Sequence, residues 1–290
     1  MRTKAVVDDL ARPTLLLLSA AVIDAASTAE SALRSINTNA PTKGAPLSHL
    51  FDAATPVDAR KIVIDATLLT EYALLSASDH ARAFATLLRA PRRPATAIVT
   101  LTRAVLESLA RSRWLVRDHD LNTLVHRTLS LLCGDLRHPA FLGEQLLNRD
   151  GFPVDPGTQR AHYRNELARL ELPEPAKVEM SKLVADLIDA DVEHQDGTRL
   201  YSVLSSVAHA HRAGINAFVH IEPGTDLFAM EAPLPTVTEL ALQIAVTVLS
   251  TTEAVLTWYG AAASEFDRVS GAKARVAVRL QTLPNEAFAD

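Results

Sequence analysis

The chain has 290 residues and a net charge of −5 at pH 7. Hydrophobic residues make up 48% of it and aromatic residues only 5%, so its core must consist largely of Ala, Leu and Val, which favour helices. The negative charge gives no global electrostatic reason for binding nucleic acid. The single cysteine, Cys133, excludes an internal disulfide, and because it lies in an apolar run we expect a buried thiol in a reducing cytoplasm.

Two apolar stretches have features of membrane-directed segments. The four leucines at 15–18 follow two basic residues, as in a signal peptide, but two aspartates cancel that charge and a helical pattern continues beyond them. The run 240–263 is long enough to span a bilayer, but Gln243, Glu253 and several hydroxyl residues interrupt it. Both patterns are typical of core helices, so we predict a cytoplasmic protein with no membrane partner.

Helical periodicity extends over nearly the whole chain, and no run alternates with period two over the length of a strand. The prediction is therefore an all-α fold, an antiparallel bundle of about eight to ten helices. Prolines, glycines and capping residues place the helix ends. In chain order the predicted helices cover 13–36, 57–75, 78–89, 94–117, 120–133, 139–147, 158–170, 174–190, 199–219 and 236–266.

A single helical domain over 1–290 is the simplest organisation. The segment 151–157 contains two prolines and two glycines, which makes it the best internal boundary. It would separate N-terminal helices in 1–150 from C-terminal helices in 158–290. No internal repeat or low-complexity tract favours another division.

The predicted helix 199–219 has an unusual polar face. At about 100° per residue, one arc of about 80° holds Tyr201, Ser205, His209, Arg212 and Asn216. A solvated face is normally rich in Glu and Lys, and this face has neither. Ser205, His209 and Arg212 are spaced i, i+4 and i+7, so they can approach a shared ligand. The stripe is either such a site or a set of caps and cross-helix hydrogen bonds between closely packed helices.

His211 projects about 180° away from His209 on the same helix, into the apolar side, which favours a core histidine. Metal ligands on a helix are spaced i, i+3 or i, i+4, so the His209-x-His211 pair does not predict a metal site. The sequence also contains no glycine-rich phosphate loop, no HExxH and no GxSxG motif. We therefore expect neither a metal nor a cofactor.

A second polar row lies on the predicted helix 94–117. Arg103, Glu107 and Arg111 are one turn apart, and Trp114 continues the same face. An exposed Arg–Glu–Arg ladder is a common solvated face, but a tryptophan is costly to leave in water. If the face is covered, Glu107 becomes a buried carboxylate held by two guanidiniums.

The spacings RxxxE…W from Arg103 and YxxLSxxxH from Tyr201 resemble a pattern of uncharacterised all-helical proteins from high-GC bacteria. More distantly, they are similar to helical bundles of the HEPN superfamily. The resemblance covers 79–118 and 199–219. The closer group implies an all-helical fold with no established activity, and HEPN ribonucleases imply metal-independent RNA cleavage by an Arg-x4–6-His motif. Here only Arg113 to His119 has that spacing at a suitable position, and it straddles a predicted helix end.

We expect the helices 94–117 and 199–219 to face one another, with six side chains forming one polar site inside the bundle. Glu107 would orient His209 or Arg212 in this site. Buried polar groups of this kind must satisfy one another or cost several kcal/mol, about 2–7 each. The candidate catalytic residues are Glu107, His209 and Arg212, and the candidate ligand-binding residues are Arg103, Tyr201 and Ser205.

Two functions fit this site. The first is a binding or regulatory protein that takes a small polar or anionic ligand, or that forms a homodimer through its apolar helices. The alternative is a metal-independent, HEPN-like ribonuclease of a toxin or phage-defence system, with His209 as general acid/base and Arg212 on phosphate. The first is favoured because no complete catalytic set is present and the chain is acidic overall. RNA is a partner only under the alternative.

Overall fold

The computed structural model describes residues 4–137, 146–147, 153–191, 196–221 and 228–288. It confirms the all-α class, and it contains eleven helices in the described ranges where about eight to ten were expected. Within those ranges the helices are α1 (Lys4–Thr38), α2 (Pro46–Ala54), α3 (Arg60–Leu88), α4 (Ala95–Val116), α5 (Leu121–Asp135), α6 (Pro156–Arg169), α7 (Met180–Asp191), α8 (Gly197–Ala208), α9 (Arg212–Asn216), α10 (Leu234–Tyr259) and α11 (Ala263–Gln281).

Strands in the described ranges are confined to two short antiparallel pairs. Strand β1 (Leu146–Leu147) pairs with β2 (Pro153–Val154), and β3 (Val219–Ile221) pairs with β4 (Phe228–Met230). Each strand is only two or three residues long, so the sheets do not change the fold class.

Helices α1, α3, α4 and α10 pack on one another and form the centre of the bundle. Helix α10 is buried on nearly all sides, since its own buried residues, mainly Val, Leu, Ile, Ala and Thr, lie all around the helix, as expected for a central helix. Helix α11 packs against α1 and α10, while α7 and α8 pack against α4. Buried side chains from both sides of the segment 151–157 belong to one contiguous hydrophobic cluster.

Two of the described helical segments, Ala11–Thr38 and Leu234–Tyr259, are long and apolar enough to cross a membrane by length and composition. Their most apolar windows are 56% and 67% buried inside the fold, which is the burial of a core helix. Some buried polar groups of α10 are satisfied locally, whereas the Thr251 hydroxyl and the Trp258 Nε1 atom are buried without a hydrogen-bond partner among the described residues. Gln243 donates to the Thr247 hydroxyl at 2.9 Å, and Thr252 donates to the Val248 carbonyl at 2.7 Å.

The observed helices differ from the predicted ones in the N-terminal half. The predicted helices 57–75 and 78–89 are one helix, α3, because the Ser78 hydroxyl donates to the Leu74 carbonyl at 2.9 Å instead of capping a new helix. Helix α2 lies in a segment predicted to be a loop. It begins at Pro46, a residue favoured in the first turn, and buries Leu47 and Leu50.

Differences also occur beyond α5. Leu146 and Leu147 form a strand, so this end of the predicted helix 139–147 is wrong. Positions 139–145 of that helix, residues 1–3 of the signal-like segment and residues 151–152 of the predicted boundary lie outside the described residues. The predicted helix 236–266 is two helices, α10 and α11.

The break between α10 and α11 requires a glycine. Gly260 has φ +68° and ψ +46°, a left-handed conformation that ends α10. Thr42 closes over it, because its hydroxyl donates to the Gly260 carbonyl at 2.5 Å and its amide donates to the Tyr259 carbonyl at 3.1 Å. A Cβ atom at position 260 would lie 2.6 Å from the Ala45 Cβ. Backbone strain and close packing therefore act at the same residue.

We expect Gly260→Ala to lower the free energy of unfolding by about 2 kcal/mol or more, measured by urea denaturation. Gly134→Ala is the matched control, since Gly134 is helical in α5 and a Cβ atom there would have no atom within 4 Å outside its own helix backbone. That control should stabilise the protein by about 0.5–1 kcal/mol. Equal effects of the two substitutions would contradict the assigned role of Gly260.

Candidate functional site

The first residue of helix α8 packs closely against α7, and this contact orients α8 toward α4. The Asp196 carboxylate caps α8 by accepting from the Arg199 amide at 2.9 Å. A Cβ atom at Gly197 would lie 2.7 Å from the Ala185 carbonyl oxygen, so only glycine permits this approach to α7. One turn later, Tyr201 meets α4.

Four of the six predicted site residues lie together where α4 packs on α8. We call Arg103, Glu107, Tyr201 and His209 the α4–α8 cluster. Glu107 is its centre, because the Oε1 atom accepts from Arg103 Nε at 2.7 Å and from the Tyr201 hydroxyl at 2.8 Å. Tyr201 is 9% exposed, and the side chains of Arg103 and Glu107 are 20% and 29% exposed. The ion pair is thus half-buried.

Arg103 connects every member of the cluster. Besides Glu107, it contacts the Tyr201 hydroxyl through Nη2 at 3.3 Å and His209 Nε2 through Nη1 at 3.1 Å. Its guanidinium carbon lies 5.4 Å from the centroid of the Tyr201 ring. A guanidinium only donates, so His209 Nε2 must accept. We infer that the imidazole is neutral in this arrangement and carries its proton on Nδ1.

The four side chains of the α4–α8 cluster carry no net charge. Burial works against the charge on Arg103, but the hydrogen bond and charge of Glu107 outweigh it and raise the pKa of Arg103. Burial, followed by the hydrogen bond and charge of Glu107, raises the pKa of the Tyr201 phenol. Tyr201 therefore keeps its proton and donates a hydrogen bond to the Glu107 carboxylate. One guanidinium, one carboxylate, one phenol and one neutral imidazole leave no net charge.

The prediction of a continuous helix over 199–219 is wrong. Helix α8 ends at Ala208, and Ala210 has φ +55°. The Ala210 amide donates to the Val207 carbonyl at 3.0 Å and the His211 amide to the Ser206 carbonyl at 2.8 Å. These two bonds form a Schellman motif, which terminates a helix when the residue after the cap is left-handed. The sequence does not indicate this helix end, because the left-handed residue is alanine rather than glycine.

This helix end removes Arg212 from the site. Arg212 is exposed and begins α9, so it does not continue the stripe of Tyr201 and His209. His211 is exposed rather than in the core, and its ring centroid lies 6.0 Å from that of His209. Ser205 stays on α8 one turn after Tyr201 and is half-buried, and its carbonyl accepts from the His209 amide at 3.0 Å.

Three details of the predicted site also change. His209 contacts Arg103, so Glu107 does not orient it directly. Glu107 is held by one guanidinium, since Arg111 pairs with Asp135 at 3.3 Å. The site is not enclosed in the bundle, because His209 is exposed to solvent. Its geometry is that of a polar corner of the surface with a half-buried ion pair beneath it.

Glu107 also borders a groove that was not predicted. The α3–α4 groove has a volume of about 360 Å³ and lies between α3, α4 and α5. Its polar lining from α3 consists of Tyr72, Ser76 and His80, which are spaced i, i+4 and i+8 on one helix face. This pattern was in the sequence, but the break predicted between 75 and 78 divided it.

No group of three His, Cys, Asp or Glu side chains is placed to hold a metal ion in the ranges that the structure describes. Cys133 is buried, which confirms the expected buried thiol, and burial raises its pKa. A thiol of this kind stays protonated and unreactive.

The fold and the site define an all-α protein with a neutral, half-buried polar cluster between two helices and a groove beside it. Comparisons with protein-family models, with curated proteins and with solved structures found no match for the chain. The resemblance to uncharacterised helical proteins and to the HEPN superfamily therefore stays a prediction.

We expect Tyr201→Phe to lower the free energy of unfolding by about 1 kcal/mol, because Glu107 loses one of its two donors in a partly exposed site. Glu107→Gln should cost a similar amount. In a double-mutant cycle by urea denaturation, the two substitutions should couple by at least about 0.5 kcal/mol. Additive effects would show that the hydrogen bond between Tyr201 and Glu107 contributes nothing to the free energy of unfolding.

Tyr201→Phe should also change how the stability of the protein depends on pH. The pKa of Tyr201 is raised in the folded protein, so above about pH 10 the unfolded chain loses this proton first. The stabilisation is present below that pH and is lost as pH rises through the folded pKa. The stability of wild type should therefore fall more steeply above about pH 10 than that of Tyr201→Phe.

We expect Ala210→Gly to raise the free energy of unfolding by about 0.5–1 kcal/mol, since glycine adopts the left-handed conformation without strain. Ala213→Gly is the control, because Ala213 is exposed within helix α9 and should lose about 0.5–1 kcal/mol. Thermal and urea unfolding of both variants give the comparison. Destabilisation by both substitutions would exclude a left-handed helix end at Ala210.

Proposed function

We propose that this protein binds a small polar ligand in the α3–α4 groove and that Glu107 is the main binding residue. The observation that carries the proposal is the position of Glu107. Glu107 lines the groove, and its carboxylate is at the same time fixed by Arg103 and Tyr201. A side chain held in this way loses little conformational freedom when a ligand binds.

The lining of the groove defines the chemistry of the ligand. A carboxylate only accepts hydrogen bonds, so the ligand must present a donor such as an ammonium, amidinium or hydroxyl group. Both existing bonds to Glu107 use Oε1, and a ligand donor completes the carboxylate at Oε2. Ser76 and Ser108 supply further polar groups, and Leu69, Leu115 and Leu131 supply an apolar wall. A volume of about 360 Å³ is in the range of small-molecule sites.

The α4–α8 cluster gives this binding a regulatory consequence. A donor that draws on Glu107 weakens its hold on Arg103, and Arg103 is the partner of the exposed His209. Ligand binding in the groove therefore changes the surface at the end of α8. We place this protein in the cytoplasm, for which the reduced and buried Cys133 is the support.

The proposal is tested by thermal shift with a panel of amino acids, polyamines, nucleosides and sugars at about 10 mM. A compound that binds should raise the Tm of wild type by about 2 °C or more. Glu107→Gln should abolish the shift, and Glu179→Gln, a substitution of an exposed carboxylate on the connection before α7, should retain it. A panel in which no compound gives a shift that Glu107→Gln abolishes contradicts the proposal.

The alternative, a metal-independent ribonuclease, is favoured by one contact. Arg103 and His209 are distant in sequence but 3.1 Å apart, and an exposed imidazole with an accepting Nε2 can act as a base beside a guanidinium. Arg212 lies outside this pair. The charge of Arg103 is already engaged by Glu107, which is why ligand binding is the better supported function.

RNA cleavage separates the two functions. Under the alternative, wild type cleaves single-stranded RNA in the presence of EDTA, and His209→Ala keeps its Tm but loses cleavage by at least about 100-fold. Under ligand binding, neither protein cleaves RNA. Cleavage that is equal in wild type and His209→Ala would contradict the nuclease assignment.

A further inference from the structure

A second cleft lies further along α4, where this helix packs against α7. The α4–α7 cleft has a volume of about 460 Å³. Its apolar surface comes from Ala110 and Trp114 on α4 and from Leu183 and Leu187 on α7. Trp114 is seven residues, or about 10 Å, beyond Glu107 along the helix, so this cleft is separate from the α3–α4 groove.

The two walls of the cleft carry opposite charges. Arg113 lines it from α4 and Arg117 from the residue just after α4, while Asp186 and Asp189 line it from α7. One charge on each wall is held in place, because Arg113 Nη1 donates to the Ser250 carbonyl at 3.1 Å and Asp189 Oδ1 accepts from the Gly197 amide at 2.8 Å.

The other charge on each wall is exposed and has no ion pair among the residues that the structure describes. These are Arg117 and Asp186. The walls face one cleft, and the described side chains do not bridge it by a salt bridge. Both charges are thus available to a molecule in the cleft.

Trp114 gives the cleft a rigid aromatic surface. The Arg127 guanidinium carbon lies 5.2 Å from the ring centroid, and Arg127 Nη1 donates to the Trp114 carbonyl at 2.7 Å. Arg127 in turn forms an ion pair with Asp118. The indole is therefore stacked from one side and fixed before any ligand arrives.

Only one charge pattern is complementary to both walls. An anion attracted by the arginines meets two aspartates, and a cation attracted by the aspartates meets two arginines. A zwitterion satisfies both. Packed helix axes are about 8–10 Å apart, and an extended dipeptide separates its terminal charges by about 7 Å at up to about 3.6 Å per residue.

We propose that the α4–α7 cleft binds a short zwitterionic peptide with apolar side chains. Its carboxylate pairs with Arg113 and Arg117, its ammonium pairs with Asp186 and Asp189, and a side chain packs on Trp114. This binding activity is independent of the groove at Glu107.

The test uses L-leucyl-L-leucine with free termini, its N-acetyl form, its C-terminal amide and the doubly blocked form. Affinities are measured by calorimetry, with tryptophan emission as a second readout because the other tryptophan, Trp258, is fully buried. The free dipeptide should bind, and blocking either terminus should weaken binding by about tenfold.

Charge variants assign each terminus to a wall. Asp186→Asn should weaken binding of the free dipeptide and of the C-terminal amide by about tenfold but leave binding of the N-acetyl form unchanged. Arg117→Gln should weaken binding of the free dipeptide and of the N-acetyl form but leave binding of the amide unchanged. Neither side chain has an ion pair among the described residues, so both variants should fold. The controls Asp267→Asn and Arg12→Gln are exposed on α11 and α1 and should have no effect.

Two results overturn the proposal. One is no binding of the free dipeptide at about 10 mM, and the other is equal binding of the free and doubly blocked forms. Glu107→Gln should bind the dipeptide as wild type does, so failure of this proposal is distinguishable from failure of the groove at Glu107.

Discussion

Helix α4 is the element on which the rest of this structure depends, because it must bury opposite faces against different neighbours. Its apolar face packs into the centre with α3 and α10, while its polar face meets α8 and α7. Covering this face with α8 would be unfavourable if the charge on Glu107 were left unpaired, since removing an unpaired charge from water is costly even in a half-buried site. Arg103 and Tyr201 supply the two donors that permit this packing.

The same constraint explains why the candidate sites lie along one helix. Arg103 and Glu107 face α8, Glu107 also borders the α3–α4 groove, and Trp114 lies in the α4–α7 cleft. Each is a place where the polar face of α4 is covered incompletely. A half-buried charge in such a place is fixed by its neighbours and still accessible to a small molecule, which is the usual condition of a binding site.

Helix ends were the weakest part of the sequence analysis, and the residues concerned show why. Ser78 has the chemistry of a cap but bonds to Leu74 within a continuous helix. Ala210 has no preference for a left-handed conformation, yet it ends α8 because its neighbours complete the Schellman motif. In both cases packing decided between two local hydrogen-bonding patterns. Periodicity alone contains no information about that choice.

The sequence by itself determined the all-α class, the polar row of α4 and the presence of Tyr201 and His209 on one helix face, because these follow from composition and from a period of 3.6 residues. Only the tertiary structure decided which side chains contact one another in the site. His209 is 106 positions from Arg103 in the chain, and Tyr201 is 94 positions from Glu107. Arg111 equally could have joined Glu107, but α5 places Asp135 beside it. Such pairings depend on how helices cross, and no local pattern specifies that geometry.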